Sequence, residues 1–260
     1  MFLNFLKEPD VYIISYPKTG RTWLRLLLGH LICRKYGLDE TAALEIKKIT
    51  RKAGIKLTGF THDDSNMVKK LHYRDMIVDK RKYKNRTIIL LIRDVRDTMV
   101  SCYFQAKNRI KVFDGTISEF IRDERYGVNK YLCFYKVWEQ QMNVPSQFKI
   151  ITYEDMHNNT ETIVRSVCDL IGINDLTDAE IQETVQYSSF ENMKKLESSN
   201  HFNSSILKAD NSGNKDSYKV RKGKIGGYQE YLTNEDIEYI KEEVKESGNP
   251  FSLCLNESVK

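Results

Sequence analysis

The chain has 260 residues, with 41 Lys and Arg against 36 Asp and Glu and a formal net charge of +5. That length can bury a sizeable core as one domain over residues 1–260, since only four prolines occur and no Pro/Ser-rich linker divides the chain. The charge suits an anionic ligand but is too mild and dispersed for nucleic acid, and no apolar run reaches the ~20 residues of a membrane span.

The N-terminus, Met1 to Glu8, lacks a signal-peptide pattern, which points to the cytoplasm. Val11-Tyr12-Ile13-Ile14-Ser15 then reads as a buried strand, and Leu24, Leu27, Leu28, Leu31 and Ile32 recur at helical spacing. Between them runs Tyr16-Pro17-Lys18-Thr19-Gly20-Arg21-Thr22-Trp23. A short basic turn that opens a helix welcomes an anion. The first-turn N–H groups are unpaired, the macrodipole places partial positive charge on them, and Lys18 adds a full charge. The segment is not a Walker A loop, because no glycine stands five residues before Lys18.

Lys56 to Thr61 reads as a second strand, followed by His62. Asp63 and Asp64 stand beside this histidine and either orient its ring and raise its basicity or cap the next turn. Of the other histidines, His30 lies in an apolar helix and His157 and His201 in polar stretches, so His62 leads as a proton acceptor and His72 comes second. Thr87 to Ile92 forms a third strand. Arg93 projects from its carboxyl end, Asp94 and Asp97 are spaced to meet the free N–H groups of the next helix, and Ser101 follows eight residues after Arg93. An arginine fork with a hydroxyl is good phosphate chemistry. Phe120, Ile121, Tyr131, Phe134, Tyr135 and Trp138 suggest helices that either wall an acceptor pocket or form plain core.

A fourth strand spans 148 to 152 and leads into Tyr153-Glu154-Asp155. Ser188-Ser189-Phe190 follows, and then a Ser/Asn/Lys/Asp-rich stretch, 197–219, that is expected to order over a bound ligand. The basic, glycine-containing segment Arg221-Lys222-Gly223-Lys224-Ile225-Gly226-Gly227-Tyr228 lets the backbone approach oxyanions. Last comes a helix with a Thr233/Asp236 capping box, an Ile237, Ile240 and Val244 stripe and a Gly248 stop. Four apolar strands alternating with helical stretches argue for an α/β fold in three layers, a central parallel sheet flanked by helices. Lys18, His62, Arg93 and Tyr153 then follow the carboxyl ends of separate strands, where open α/β sheets bind ligands.

Several of these segments resemble one family, the sulfotransferases that use 3′-phosphoadenylyl sulfate (PAPS), over residues 11 to 233. Tyr16 to Trp23 is similar to that family's 5′-phosphosulfate loop, usually Tyr-Pro-Lys-Ser-Gly-Thr-Thr-Trp, with departures at Thr19 and Arg21. Arg93 and Ser101 match its 3′-phosphate residues. Arg221 to Tyr228 resembles its late Arg-Lys-Gly-x-x-Gly-Asp-Trp loop, with Gly227 and Tyr228 in place of Asp and Trp. Thr61-His62 matches its catalytic histidine, while Phe60 stands where a lysine is frequent. The resemblance implies a P-loop-like fold and transfer of a sulfuryl group to a hydroxyl or amine of a small-molecule, lipid or glycan acceptor. It also assigns roles. His62 takes the acceptor proton and Lys18 stabilises the leaving phosphate. Lys18, Thr19, Gly20, Arg21 and Thr22 hold the phosphosulfate, Arg93, Ser101, Arg221, Lys222 and Gly223 the 3′-phosphate, and Trp23, Tyr153, Ser188 and Phe190 the adenine.

No metal is implied: cations and helix N–H groups suffice for a sulfuryl group, and the cysteines and histidines show no CxxC or HxxxH spacing. The five cysteines, Cys33, Cys102, Cys133, Cys168 and Cys254, read as reduced thiols. Two alternatives remain, an ATP-using P-loop-like phosphotransferase and a noncatalytic nucleotide-binding module.

Overall fold

The computed structural model describes residues 7–202, 204–209 and 217–253. Met1 to Leu6, Cys254 and residues 210–216 of the 197–219 stretch lie outside them. Four strands, β1 (Val11–Ser15), β2 (Thr58–Thr61), β3 (Thr87–Ile92) and β4 (Gln147–Thr152), make one sheet in the order β2-β1-β3-β4. All neighbours are parallel, with Val11 opposite both Thr58 and Thr87, and Thr87 opposite Gln147. β2 starts two residues later than its apolar run suggests, because Lys56 and Leu57 bind outward: the Lys56 amide donates to Ile171 and the Leu57 carbonyl accepts from Asp10 and Val11.

The central strands β1 and β3 are buried on both faces, as parallel sheets require, whereas the edge strand β4 is partly exposed. Side chains alternate across the pleat. Val11, Ile13, Ile89, Leu91 and Ile151 enter one core with helices α1 (Arg21–Lys35), α2 (Ile46–Ala53) and α7 (Thr160–Ile171). Ile14, Ile88, Leu90 and Ile92 enter the other with α3 (Val95–Phe104), α4 (Ile117–Arg122) and α5 (Val128–Gln140). Two helix layers around one parallel sheet are the architecture expected from the alternation of elements.

The remaining helices close the first layer and then the second. α6 (Tyr153–Asn158) starts directly at the end of β4, and α8 (Asp178–Tyr187) and α9 (Phe190–Ser198) pack beside α1. α10 (Asn234–Ser247) carries the Thr233–Asp236 capping box and ends at Gly248, whose φ of 83° is the left-handed stop read from the sequence. None of the described helices is long and apolar enough to cross a membrane.

The aromatic stretch of α4 and α5 resolves to core. Phe120, Ile121, Tyr131, Phe134, Tyr135 and Trp138 are all buried against the sheet, and none borders the cavity described below. Aromatic residues at helical spacing fit a core and a pocket wall equally, so periodicity alone could not separate the two.

Candidate active site

A cavity of about 750 Å³ opens at the carboxyl ends of the strands, within the ~300–1,000 Å³ usual for ligand pockets. Its floor is the turn from β1 to α1. Lys18 (φ 69°) and Gly20 (φ 92°) both take the left-handed conformation, folding the turn tightly enough to present the helix start. No side chain caps α1, so its first-turn amides stay open to an anion. Gly20 is required here twice over: a Cβ at this residue would stand 2.6 Å from Cδ2 of Tyr153. Lys18 Nζ rests on the carbonyl of Lys219 at 3.3 Å, and burial lowers its pKa to about 8.

Thr19 differs from its expected placement. It is fully buried, its hydroxyl donates to the Tyr16 carbonyl at 2.9 Å, and its side chain does not border the cavity. Gly20, Arg21, Thr22 and Trp23 do line the cavity. The Trp23 ring meets Tyr153 edge-on at 6.0 Å and tilts against His157 at 4.8 Å, building an aromatic corner.

His62 lines the same cavity just beyond β2. Its Nδ1 lies 2.8 Å from the Ser15 carbonyl oxygen. A carbonyl only accepts, so Nδ1 carries the hydrogen and Nε2 keeps a lone pair. The two following carboxylates do not orient it. Asp63 is buried against Lys80 (2.7 Å) and Lys82 (2.9 Å) and accepts from the Tyr83 hydroxyl, and Asp64 pairs with Lys69. Nor is the ring's basicity raised: burial, together with the charges of Arg21, Arg25 and Lys219, lowers its pKa to about 3. His72, the second choice, pairs with Glu124 at 2.9 Å and stacks on Tyr73, away from the cavity.

The third wall is built from β3, α3 and the late loop. Arg93 donates to the carbonyls of Lys18 (3.1 Å) and Lys224 (3.2 Å), so one guanidinium ties the first and last loops together. Its plane covers the Tyr153 ring at 4.1 Å, and its buried Nε has no partner. Ser101, two turns into α3, borders the cavity. Asp94 caps α3 through the Arg96 amide at 2.8 Å, as its place at the junction predicts. Asp97 does something else. Its carboxylate accepts from the amides of Gly226 (2.8 Å) and Tyr228 (2.9 Å), anchoring the late loop rather than its own helix. Burial pushes its pKa up, opposed by Arg93 and those amides.

Arg221, Lys222 and Gly223 all border the cavity. Arg221 lies over Phe104 at 4.1 Å and donates to the Tyr231 hydroxyl at 2.7 Å, while Lys222 pairs with Glu230. Gly223 (φ 62°) packs under Phe190, where a Cβ would approach Cδ2 to 2.6 Å. Phe190 is 38% exposed and borders the cavity; Ser188 is fully buried, and its hydroxyl has no partner. Sequence reasoning passed over Arg109, Lys219 and His157, which also line the cavity. Among the described residues no cluster of three or more His, Cys, Asp or Glu could hold a metal.

A family model described as "Sulfotransferase domain" matches residues 8–249. Among curated proteins, a flavonol 3-sulfotransferase of Flaveria bidentis is 25% identical over 281 residues, covering 95% of this chain and 84% of that protein. Sulfotransferase 2A6 of Mus musculus is 28% identical over 247 residues, covering 88% and 80%. Among solved structures, mouse sulfotransferase SULT7A1 complexed with PAP aligns with a TM-score of 0.66 at 22% identity, over 95% of this chain and 86% of that one. A retinol dehydratase in a complex with retinol and PAP aligns at 0.64 and 17% identity, over 99% and 84%.

Proposed function

Because this chain belongs to the sulfotransferase family, we propose that the cavity binds PAPS and that the enzyme moves its sulfuryl group to a hydroxyl or amine of an acceptor, leaving adenosine 3′,5′-bisphosphate. The observation that carries this reading is the convergence of two basic loops, 201 residues apart between Lys18 and Lys219, on one cavity that also holds His62. One loop opens a helix N-terminus and the other carries Arg221 to Gly223. Two anion sites with an aromatic corner between them fit a nucleotide charged at both ends.

Each residue then has a task. The open amides at Arg21 and Thr22 with the Lys18 ammonium hold the phosphosulfate, and Arg93, Ser101, Arg221, Lys222 and Gly223 surround the 3′-phosphate. Trp23, Tyr153 and Phe190 offer ring faces to adenine. His62 accepts the acceptor proton at Nε2 as the acceptor oxygen bonds to sulfur and the bond from sulfur to the phosphate oxygen breaks. Lys18 stabilises the negative charge that this oxygen gathers, an effect worth about 2.7–4 kcal/mol for a well-placed donor. Burial among cations keeps His62 unprotonated at neutral pH, so its Nε2 lone pair is free to accept.

The acceptor is proposed to be a small molecule, in keeping with relatives named for flavonols. A cytoplasmic setting is supported by the free thiols of Cys33, Cys102, Cys133 and Cys168. Calorimetric titration with adenosine 3′,5′-bisphosphate, 5′-AMP and ATP tests the reading: tight binding of the bisphosphate and weak binding of the other two is expected. Equal affinities, or ATP turnover with magnesium, would reject it in favour of a phosphotransferase.

A further inference from the structure

The cavity is lined by eight Lys and Arg side chains and a single carboxylate, Asp97. Most of these cations are engaged: Lys222 and Lys224 pair with Glu230, Arg109 with Glu197, Arg93 with two carbonyls and Arg221 with Tyr231. Lys18, Arg21 and Lys219 have no carboxylate partner among the described residues. Lys18 belongs to the phosphosulfate turn. Arg21 and Lys219 instead line the cavity wall that also holds His62, and Arg25, one helical turn beyond Arg21, stacks on Phe60 two residues before His62; all three charges act on that ring.

Two of these residues are held rather than draped. Lys219 is fixed through its backbone, because the fully buried Glu197 carboxylate accepts from the amides of Lys219 (2.7 Å) and Val220 (2.9 Å). Its ammonium touches only the carbonyls of Ser205 (3.1 Å) and Ile206 (2.5 Å). Arg25 is 8% exposed, lies 4.4 Å over the Phe60 ring, and leaves its Nε without an acceptor. Burying a guanidinium with so few partners is costly unless an anion offsets it. Burial first, and repulsion from neighbouring cations second, also pull the pKa of Lys219 to about 7 and that of Arg21 to about 9.

We propose that Arg21, Arg25 and Lys219 form a second anion site on the His62 side of the cavity, which binds an acidic group carried by the acceptor itself. The inference rests on the transfer reading above and adds the acceptor's chemical class, a hydroxyl compound bearing a carboxylate, sulfate or phosphate. Arg21 and Lys219 supply the contacting charges at the cavity wall. Arg25, stacked on Phe60, strengthens the field behind them.

The experiment is calorimetry on protein saturated with adenosine 3′,5′-bisphosphate, titrated with 4-hydroxybenzoate and with its neutral counterpart 4-hydroxybenzamide. The carboxylate is expected to bind at least tenfold tighter. Lys219→Gln should erase that difference while leaving the bisphosphate Kd within threefold, Arg21→Gln should erase it as well, and Arg25→Met, which removes the charge behind them, should reduce it. A carboxylate that binds no better than its amide, whether both bind or neither does, overturns the proposal, as does a preference that survives both glutamine variants. A tenfold loss of bisphosphate affinity in Lys219→Gln overturns it too, because it gives that cation to the nucleotide. Failure of the bisphosphate to bind the unaltered protein would instead reject the transfer reading itself.

Discussion

In the proposed mechanism His62 is readied for proton transfer without a carboxylate behind it. The Ser15 carbonyl holds the tautomer, and burial, helped by the neighbouring cations, keeps the ring neutral. Replacing it with alanine should lower transfer by about 10²–10⁴-fold and leave bisphosphate affinity nearly unchanged; assays with labelled PAPS beside calorimetry would check both, and lost binding would remove His62 from the base role. The same burial has a consequence for stability. The ring's pKa is about 3 in the fold against 6.5 ordinarily, so between those values the unfolded chain binds the proton that the folded chain refuses. Stability should therefore fall as pH drops from about 6.5 towards 3. Urea unfolding should show a shallower acid slope in His62→Gln than in the parent, and identical slopes would contradict the buried, neutral ring.

At the level of elements, the late loop depends on α3. Asp97→Ala would leave the amides of Gly226 and Tyr228 without their acceptor, at a cost of about 1–3 kcal/mol. Faster hydrogen exchange at those two amides and weaker bisphosphate binding are expected, while unchanged exchange would show that the loop is held some other way. Much of this layer was legible beforehand. Uninterrupted apolar runs such as Thr87 to Ile92, alternating with helical stretches, fit strands of a parallel sheet covered on both faces, and Asp94 has the chemistry of a cap. Asp97 has the same chemistry, and nothing local says that its carboxylate reaches a loop 129 residues away. Lys219 and Arg109 were illegible for a related reason: their place at the cavity is set by the buried Glu197, through contacts distant in sequence. Phe120 and Trp138 show the converse limit, because a helical aromatic stripe does not say which side of it is wet.

For the whole molecule, the dominant feature is an excess of buried positive charge around one cavity. With its pKa near 8, Lys18 is partly neutral in mildly alkaline solution and should regain a proton as an anionic nucleotide enters. Binding at pH 8 is thus expected to take up protons, seen as a calorimetric enthalpy that varies with the buffer's ionisation heat, and affinity should weaken from pH 7 to pH 9. An enthalpy independent of buffer would contradict this electrostatic account. A hundredfold excess of bisphosphate over its Kd should also add about 2.7 kcal/mol to unfolding stability.

The bond between Asp97 and the Gly226–Tyr228 backbone sets an order of events during synthesis. All four strands and their covering helices up to Ser198 precede the late loop in the chain, so a nascent polypeptide stopped short of residue 217 already has the material for its sheet. On the proposed function it cannot yet grip a nucleotide at both ends. Competence to bind would then appear only once residues 217–228 have left the ribosome and docked, which makes nucleotide capture a report on the docking of that loop.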